Sequence, residues 1–245
     1  MKRFPKEFSD LLTREGRRVL DGKHPALSGV LATGRSRFVG AEGLLDQKKA
    51  RGLAALLDTA LGDKMSPMEQ AIPRGATWDM KVAYTEKLPK TVSVRTAMLD
   101  DDESPALERA EEIGLIGFLR SKSFHAFAEA LSGYPLRRQW GLQTLCYWPK
   151  DYSGPHNDHH PDEPLGCDGY TDLHLTFCTE GVDHQWIVYE QKSHLSEIQS
   201  IATVGGVTCY RLPFWHYTTP LVPKRGREGD ARRWVLLGTF LDRWS

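Results

Sequence analysis

Past Gly133 the chain never again carries a helical pattern, and no other feature constrains its fold as much. Short runs rich in β-branched and aromatic residues follow one another there: Gln143–Trp148, Tyr170–Cys178, Gln185–Tyr189, Ile198–Val204, Val207–Leu212 and Arg233–Leu241. Turn-forming residues divide them, as expected of strands bounded by turns. Parallel neighbours would need crossovers of about a dozen residues or more, most often helical. With no helical pattern in the intervals, a doubly wound α/β sheet is disfavoured and an antiparallel sandwich or small barrel is expected. Gly205-Gly206 reads as a hairpin turn between two of the runs.

The preceding half is helical in texture. Leu44–Leu61 combines helical apolar spacing with good helix formers, and Gly62 is placed to stop it. Glu7–Leu20 sets Phe8, Leu11, Leu12 and Val19 near one face. Ser104-Pro105 offers an N-cap and a first-turn proline, so a helix is predicted over Ser104–Leu131, weakened by Gly114 and Gly117 and broken near Ser121. β-type runs interrupt at Lys81–Tyr84 and Thr91–Met98, and the acidic run Asp100–Glu103 reads as a solvated turn before a helix. No flexible linker divides the halves. The expected fold class is α+β: one domain over residues 1–245, a mostly helical region 1–140 packed on the sheet, and a strand-built core over 141–245.

Composition narrows the function. At 40% apolar and 26% charged residues, the chain can build a core. Lys+Arg and Asp+Glu balance at 32 each, which gives no general electrostatic footprint for nucleic acid. The four cysteines, Cys146, Cys167, Cys178 and Cys209, form no CxxC pair and read as reduced, packed residues. The first residues, MKRFPKEFSDLLTREGRR, lack the apolar core of a signal peptide. No run reaches the roughly 18 apolar residues of a membrane span. A cytoplasmic protein without membrane contact is expected.

The chemistry-bearing stretch is YSGPHNDHHPDEP, Tyr152–Pro164. It holds two H-x-D triplets, His156-Asn157-Asp158 and His160-Pro161-Asp162. Alone, either triplet reads as a polar surface loop. Two imidazoles and one carboxylate can hold Fe(II) and leave positions open for other ligands, which requires a third residue from a strand distant in sequence. His174, His184, His194 and His216 are the candidates. His184 follows the triplet too soon for a chain that must cross the sheet several times. His174 sits mid-strand, where a packed histidine is the ordinary reading. His216, in LPFWHYTTPL, is followed by a basic loop and a last strand that opens with arginine, a fixed fork for a carboxylate. A zinc loop from His159, His160 and Cys167 fits no common zinc spacing.

This order of residues resembles the Fe(II)/2-oxoglutarate-dependent oxygenases, built on a double-stranded β-helix (jelly-roll). Their signature is H-x-D/E, a distal His, then Arg or Lys on the final strand. It falls here on His156, Asp158, His216 and Arg233. LCYWPKDYSGPHND is similar to the family's strand and turn before H-x-D, with Lys150 where Gly is common. FWHYTTPL and RRWVLLGTF are most similar to the prolyl-hydroxylase and nucleic-acid dealkylase branches. The resemblance covers Gln143–Trp244, and the N-terminal part matches no named family.

The resemblance implies that His156, Asp158 and His216 are metal ligands, with His160 and Asp162 the reserve pair. It implies that Arg233 binds the distal carboxylate of 2-oxoglutarate and that Tyr147 lines the co-substrate pocket. Strand alternation sends Arg232 and Arg233 to opposite faces, so either could bind that carboxylate, and Arg233 is favoured because it shares a face with Val235, Leu237 and Thr239 and is followed by a Trp. The implied reaction uses Fe(II), O2 and 2-oxoglutarate as co-substrate, releases succinate and CO2, and hydroxylates a substrate. A carboxylate at Asp158 separates the site from halogenase-type relatives, which lack it. Val235 stands where the dealkylases have a polar side chain, and together with the zero net charge this argues against a nucleic-acid substrate. A small molecule or an amino acid, free or in a peptide, is expected as partner. The basic loop Lys224–Arg233 either steers an anion or is a solvated hairpin. The alternative is a non-catalytic jelly-roll that binds metal or ligand as a sensor or interaction module.

Overall fold

The computed structural model describes residues 2–72, 91–158, 170–191, 194–213 and 215–242. Its frame is an antiparallel sheet of 11 strands, nearly closed into a barrel. In chain order the strands are β1 (Phe38–Ala41), β2 (Ser66–Ala71), β3 (Thr91–Met98), β4 (Leu136–Tyr147), β5 (Tyr152–His156), β6 (Tyr170–Cys178), β7 (Val182–His184), β8 (Trp186–Gln191), β9 (His194–Ser200), β10 (Val204–Leu212), β11 (His216–Thr218), β12 (Val222–Pro223) and β13 (Arg233–Asp242). One side of the barrel runs β1-β10-β6-β13-β4 and the other β5-β11-β8-β9, with β3 bridging β4 to β5. Strands adjacent in sequence, such as β4 and β5 or β10 and β11, thus fall on opposite sides. This alternation is the double-stranded β-helix. β7 and β12 pair separately.

The helices cover one outer face of the sheet. They are α1 (Arg14–Leu20), α2 (Gln47–Leu61), α3 (Leu107–Glu112), α4 (Leu115–Leu119) and α5 (Lys122–Ser132). α2 is capped by Asp46, whose carboxylate accepts from Lys49 N at 3.0 Å, and buries Leu53, Leu57 and Leu61 from one stripe. It packs against β6 and β10. α5 starts at Ser121, whose hydroxyl accepts from Phe124 N at 3.3 Å, and ends at Gly133 in the left-handed region (φ 80°). Phe8 anchors this layer, its ring centroid 5.7, 5.4 and 5.0 Å from those of Phe118, Phe124 and Phe127. The same buried cluster continues into Leu173, Leu175, Trp234 and Leu236 of the sheet. Among the described residues no helix is long and apolar enough to cross a membrane.

Several local expectations are corrected. Gly205-Gly206 is not a hairpin turn: β10 runs through it, with a register shift between Val204 and Gly206 and Gly205 at φ 78°. A bulge there uses glycine's freedom without ending the strand. Glu7–Leu20 divides into a 3-10 turn at Phe8–Leu11 and α1, because Thr13 caps a new start by accepting from Gly16 N. Ser104–Leu131 becomes three helices. Ser104 caps none of them, and Gly114 (φ 79°) separates α3 from α4. The run Gln185–Tyr189 falls in β8, which starts one residue later and continues to Gln191, a separate short strand β7 precedes it, and the run at Ile198 is shifted back to β9. β1 and β2 were not foreseen. Lys81–Tyr84 lies outside the described residues.

Candidate metal and co-substrate site

β5 and β11 are antiparallel neighbours with His156 directly opposite His216. Opposed residues on such a pair project to the same side, and here the imidazole centroids stand 4.4 Å apart. Asp158 follows β5 by two residues, with φ 54° in the left-handed region, which Asp tolerates better than most residues. That backbone turns its carboxylate back toward the rings: Oδ1 is 3.1 Å from His156 Nε2 and Oδ2 3.5 Å from His216 Nε2. One ligand atom from each of the three lies within 4.8 Å of the others, and this is the sole such metal-ligating group among the described residues. His156 Nδ1 donates to the Gly154 carbonyl at 2.6 Å. A carbonyl only accepts, so Nδ1 carries a proton, and Nε2 is the nitrogen turned to the cluster.

The electrostatics match this packing. Burial alone would raise the Asp158 carboxyl, but the charge and hydrogen bond of His156, then the charges of His216 and His174, hold it well below the usual carboxylate range. Burial disfavours protonating His156, yet Asp158 and the Gly154 carbonyl outweigh it and raise its pKa. Two imidazoles around an ionised carboxylate form a donor set that fits a divalent transition metal such as Fe(II).

Arg233 begins β13 opposite Tyr147 on β4. Its side chain is 2% exposed and lines the same cavity, of about 250 Å³, as the His-Asp-His cluster. Nε donates to the Ile201 carbonyl at 3.0 Å and Nη1 to Gln185 Oε1 at 3.1 Å. Of guanidinium's five N–H groups, these bonds use two and leave the others for an anion. Gln185 is itself fixed, its Nε2 donating to the Thr219 carbonyl at 2.9 Å and the Asp151 carbonyl at 3.3 Å. The guanidinium carbon lies 5.0 Å from the Tyr147 ring, and burial pushes the Tyr147 phenol up. Ser153 and Thr218 complete this end of the cavity, the Ser153 amide donating to Thr218 Oγ1 at 2.8 Å. Arg232 turns away and stacks at 3.6 Å on Trp148, outside the cavity.

The other histidines separate cleanly. His174 lines the cavity but stands outside the three-residue cluster, its ring 4.5 Å from Tyr210. His184 pairs with Asp183 at 2.8 Å at the surface, and His194 is exposed on β9. His159, His160, Asp162 and Cys167 lie outside the described residues. In the basic loop Arg227 pairs with Asp230, so part of its charge is neutralised internally. Lys150 has φ 75°. A left-handed residue at this turn explains why glycine suits the position.

Gln185, Tyr210, Asp172 and Thr218 were not singled out by the sequence as cavity or anchoring residues. Gln185 reaches Arg233 from 48 positions away, and no spacing rule signals such a contact.

No family model and no curated protein matches the chain. Solved structures do match over nearly its whole length. A prolyl-4-hydroxylase from Pseudomonas putida is 12% identical, with 94% of this chain and 98% of that chain covered at a TM-score of 0.50. SnoN, a non-heme alpha ketoglutarate dependent epimerase from nogalamycin biosynthesis, is 17% identical, covering 86% and 82% at 0.55. SnoK, a carbocyclase of the same biosynthesis, is 14% identical, covering 96% and 85% at 0.51. These likenesses establish the shared fold, the double-stranded β-helix. A structure of SnoN contains Fe3+, alpha ketoglutarate and nogalamycin RO.

Proposed function

We propose that the chain is an Fe(II)- and 2-oxoglutarate-dependent dioxygenase that hydroxylates a small molecule or an amino-acid residue. One observation carries the reading: the His156/Asp158/His216 cluster and the buried Arg233 fork line one cavity inside a double-stranded β-helix. The fold alone supports many functions, so the weight falls on these side chains.

In this reading His156 and His216 present neutral nitrogens and Asp158 a carboxylate to the metal. Fe(II), when bound, supplies O2 activation coupled to oxidative decarboxylation of 2-oxoglutarate to succinate and CO2. Arg233 holds the co-substrate's distal carboxylate through its unused N–H groups. Gln185 and the Ile201 carbonyl fix the fork before the ligand arrives, so little rotamer entropy is lost on binding. Tyr147 walls the pocket, and Leu145 and Val235 add apolar side chains to its lining. The Gly154 carbonyl fixes the tautomer and ring orientation of His156.

Succinate formation from 2-oxoglutarate with Fe(II) and O2, in the absence of a prime substrate, tests the proposal. Slow turnover by wild type that is lost in His156→Ala and His216→Ala supports it. Metal binding with no succinate, even with a panel of amino acids and peptides present, would point instead to a non-catalytic metal-binding jelly-roll.

A further inference from the structure

The cavity holds a second polar group that neither the metal nor the co-substrate employs. Asp172 and His174 alternate with Leu173 on β6 and share its inward face. β13 sets Cys178 against Arg233, His174 against Leu237 and Asp172 against Thr239. From Arg233 to Thr239 is six residues, or about 20 Å along the strand at ~3.3 Å per residue. A five-carbon diacid held between the metal ligands and Arg233 does not reach that level. The region around Asp172 is the part of the cavity left for the prime substrate.

The state of these side chains indicates what enters. Asp172 is 7% exposed and its Oδ1 accepts no hydrogen bond. Its Oδ2 is 3.8 Å from His174 Nε2, too far for a hydrogen bond, and that nitrogen has no partner either. Gln143 faces the same space. With its Nε2 donating to Thr96 Oγ1 at 2.7 Å, its carbonyl oxygen is left to accept. A buried carboxyl oxygen that accepts no hydrogen bond is costly and rare in native folds. Among the described residues, no cation stands at hydrogen-bond distance from Asp172, and the nearest basic group is His174 Nε2 at 3.8 Å.

We infer that Asp172 is the specificity-determining residue for the prime substrate, receiving a protonated amine or guanidinium, with His174 and Gln143 beside it. The substrate class is then a basic small molecule or a basic amino-acid residue. The inference rests on the oxygenase reading, because it assigns the far end of the cavity to the prime substrate. The cationic group anchors the substrate while an apolar part faces the metal cluster.

The test uses the full chain with Fe(II) and 2-oxoglutarate under anaerobic conditions, titrated by calorimetry with agmatine, L-arginine and L-lysine. Neutral L-citrulline and L-norleucine and anionic L-glutamate are the comparisons. The expected result is that at least one cation binds at least about tenfold tighter than its neutral counterpart. That preference should disappear in Asp172→Asn and persist in Asp172→Glu, which keeps the charge. Asp172→Asn is nearly isosteric and replaces a buried carboxyl whose Oδ1 accepts no hydrogen bond, so it should melt at or above wild type. Equal binding of cations and neutral counterparts, no saturable binding of any cation, or an unchanged preference in Asp172→Asn would each overturn the inference. The charge-transfer band of the Fe(II)–2-oxoglutarate complex, recorded on the same sample, reports separately on the oxygenase reading. If that band is absent, the titration is repeated on metal-free protein, and the same outcomes decide the role of Asp172.

Discussion

Replacing Arg233 with glutamine should nearly abolish co-substrate binding, while the same change at its neighbour should not. The side chain is 2% exposed and anchored at 3.0 Å to the Ile201 carbonyl and 3.1 Å to Gln185. In that setting its contact with a carboxylate is desolvated and poorly screened. Removing one member of a buried charge pair costs about 3–5 kcal/mol. At ~1.4 kcal/mol per tenfold, Arg233→Gln should weaken 2-oxoglutarate by between about 100-fold and about 4,000-fold. Arg232 lies outside the cavity, over the Trp148 ring at 3.6 Å. Arg232→Gln should lose a cation–π contact of about 0.5–1 kcal/mol from stability and change the affinity less than about twofold. Gln185→Ala removes an anchor, not the charge. As a positioning change it should weaken binding by about 1.5–3 kcal/mol at most. The assay is anaerobic titration of the Fe(II)-loaded protein with 2-oxoglutarate, read by calorimetry. Equal losses in the two arginine variants, or an unchanged affinity in Arg233→Gln, would refute the assignment of the fork.

Other outcomes follow from the same geometry. His216→Ala should lower Fe(II) affinity at least about 100-fold, whereas His184→Ala, paired with Asp183 at the surface, should leave it unchanged; metal content after anaerobic dialysis against a chelator distinguishes them. Phe124 is fully buried with its ring 5.4 Å from Phe8 and 5.9 Å from Phe240, so Phe124→Ala should cost about 3–5 kcal/mol, measured as a shift in the urea midpoint. Burial raises the thiols of Cys146 and Cys209 and pushes Cys178 up to about 12. Iodoacetamide at mildly alkaline pH should therefore leave all three unmodified in the folded protein and alkylate them after denaturation, as peptide mass mapping would show.

The sequence made the long, strongly patterned elements legible. The predicted Tyr170–Cys178 and Thr91–Met98 match β6 and β3, and the predicted last strand ends one residue short of β13. α2 was equally clear, because its apolar stripe and its stop at Gly62 act locally. β1 and β2 escaped notice because they are short: β1 is recruited by pairing to β10, and β2 is polar and mostly exposed on β3. Gly205 was misread because a Gly-Gly pair suits a turn and a bulge alike, and only the partner strand β6 decides. At the site, His156, Asp158, His216 and Arg233 stood out by order along the chain. Strand alternation put Arg232 and Arg233 on opposite faces but left open which of them faces the cavity, and the structure lines it with Arg233. Gln185 and Asp172 did not stand out, since their meaning depends on what the barrel brings opposite them.

The most direct test of the account is a difference spectrum of the anaerobic protein as 2-oxoglutarate is added to the Fe(II)-loaded chain. Chelation of a metal held by His156, Asp158 and His216 predicts a visible charge-transfer band that saturates at one equivalent per chain and is missing in His216→Ala. No band in wild type despite bound Fe(II), or the same band in His216→Ala, would contradict the account.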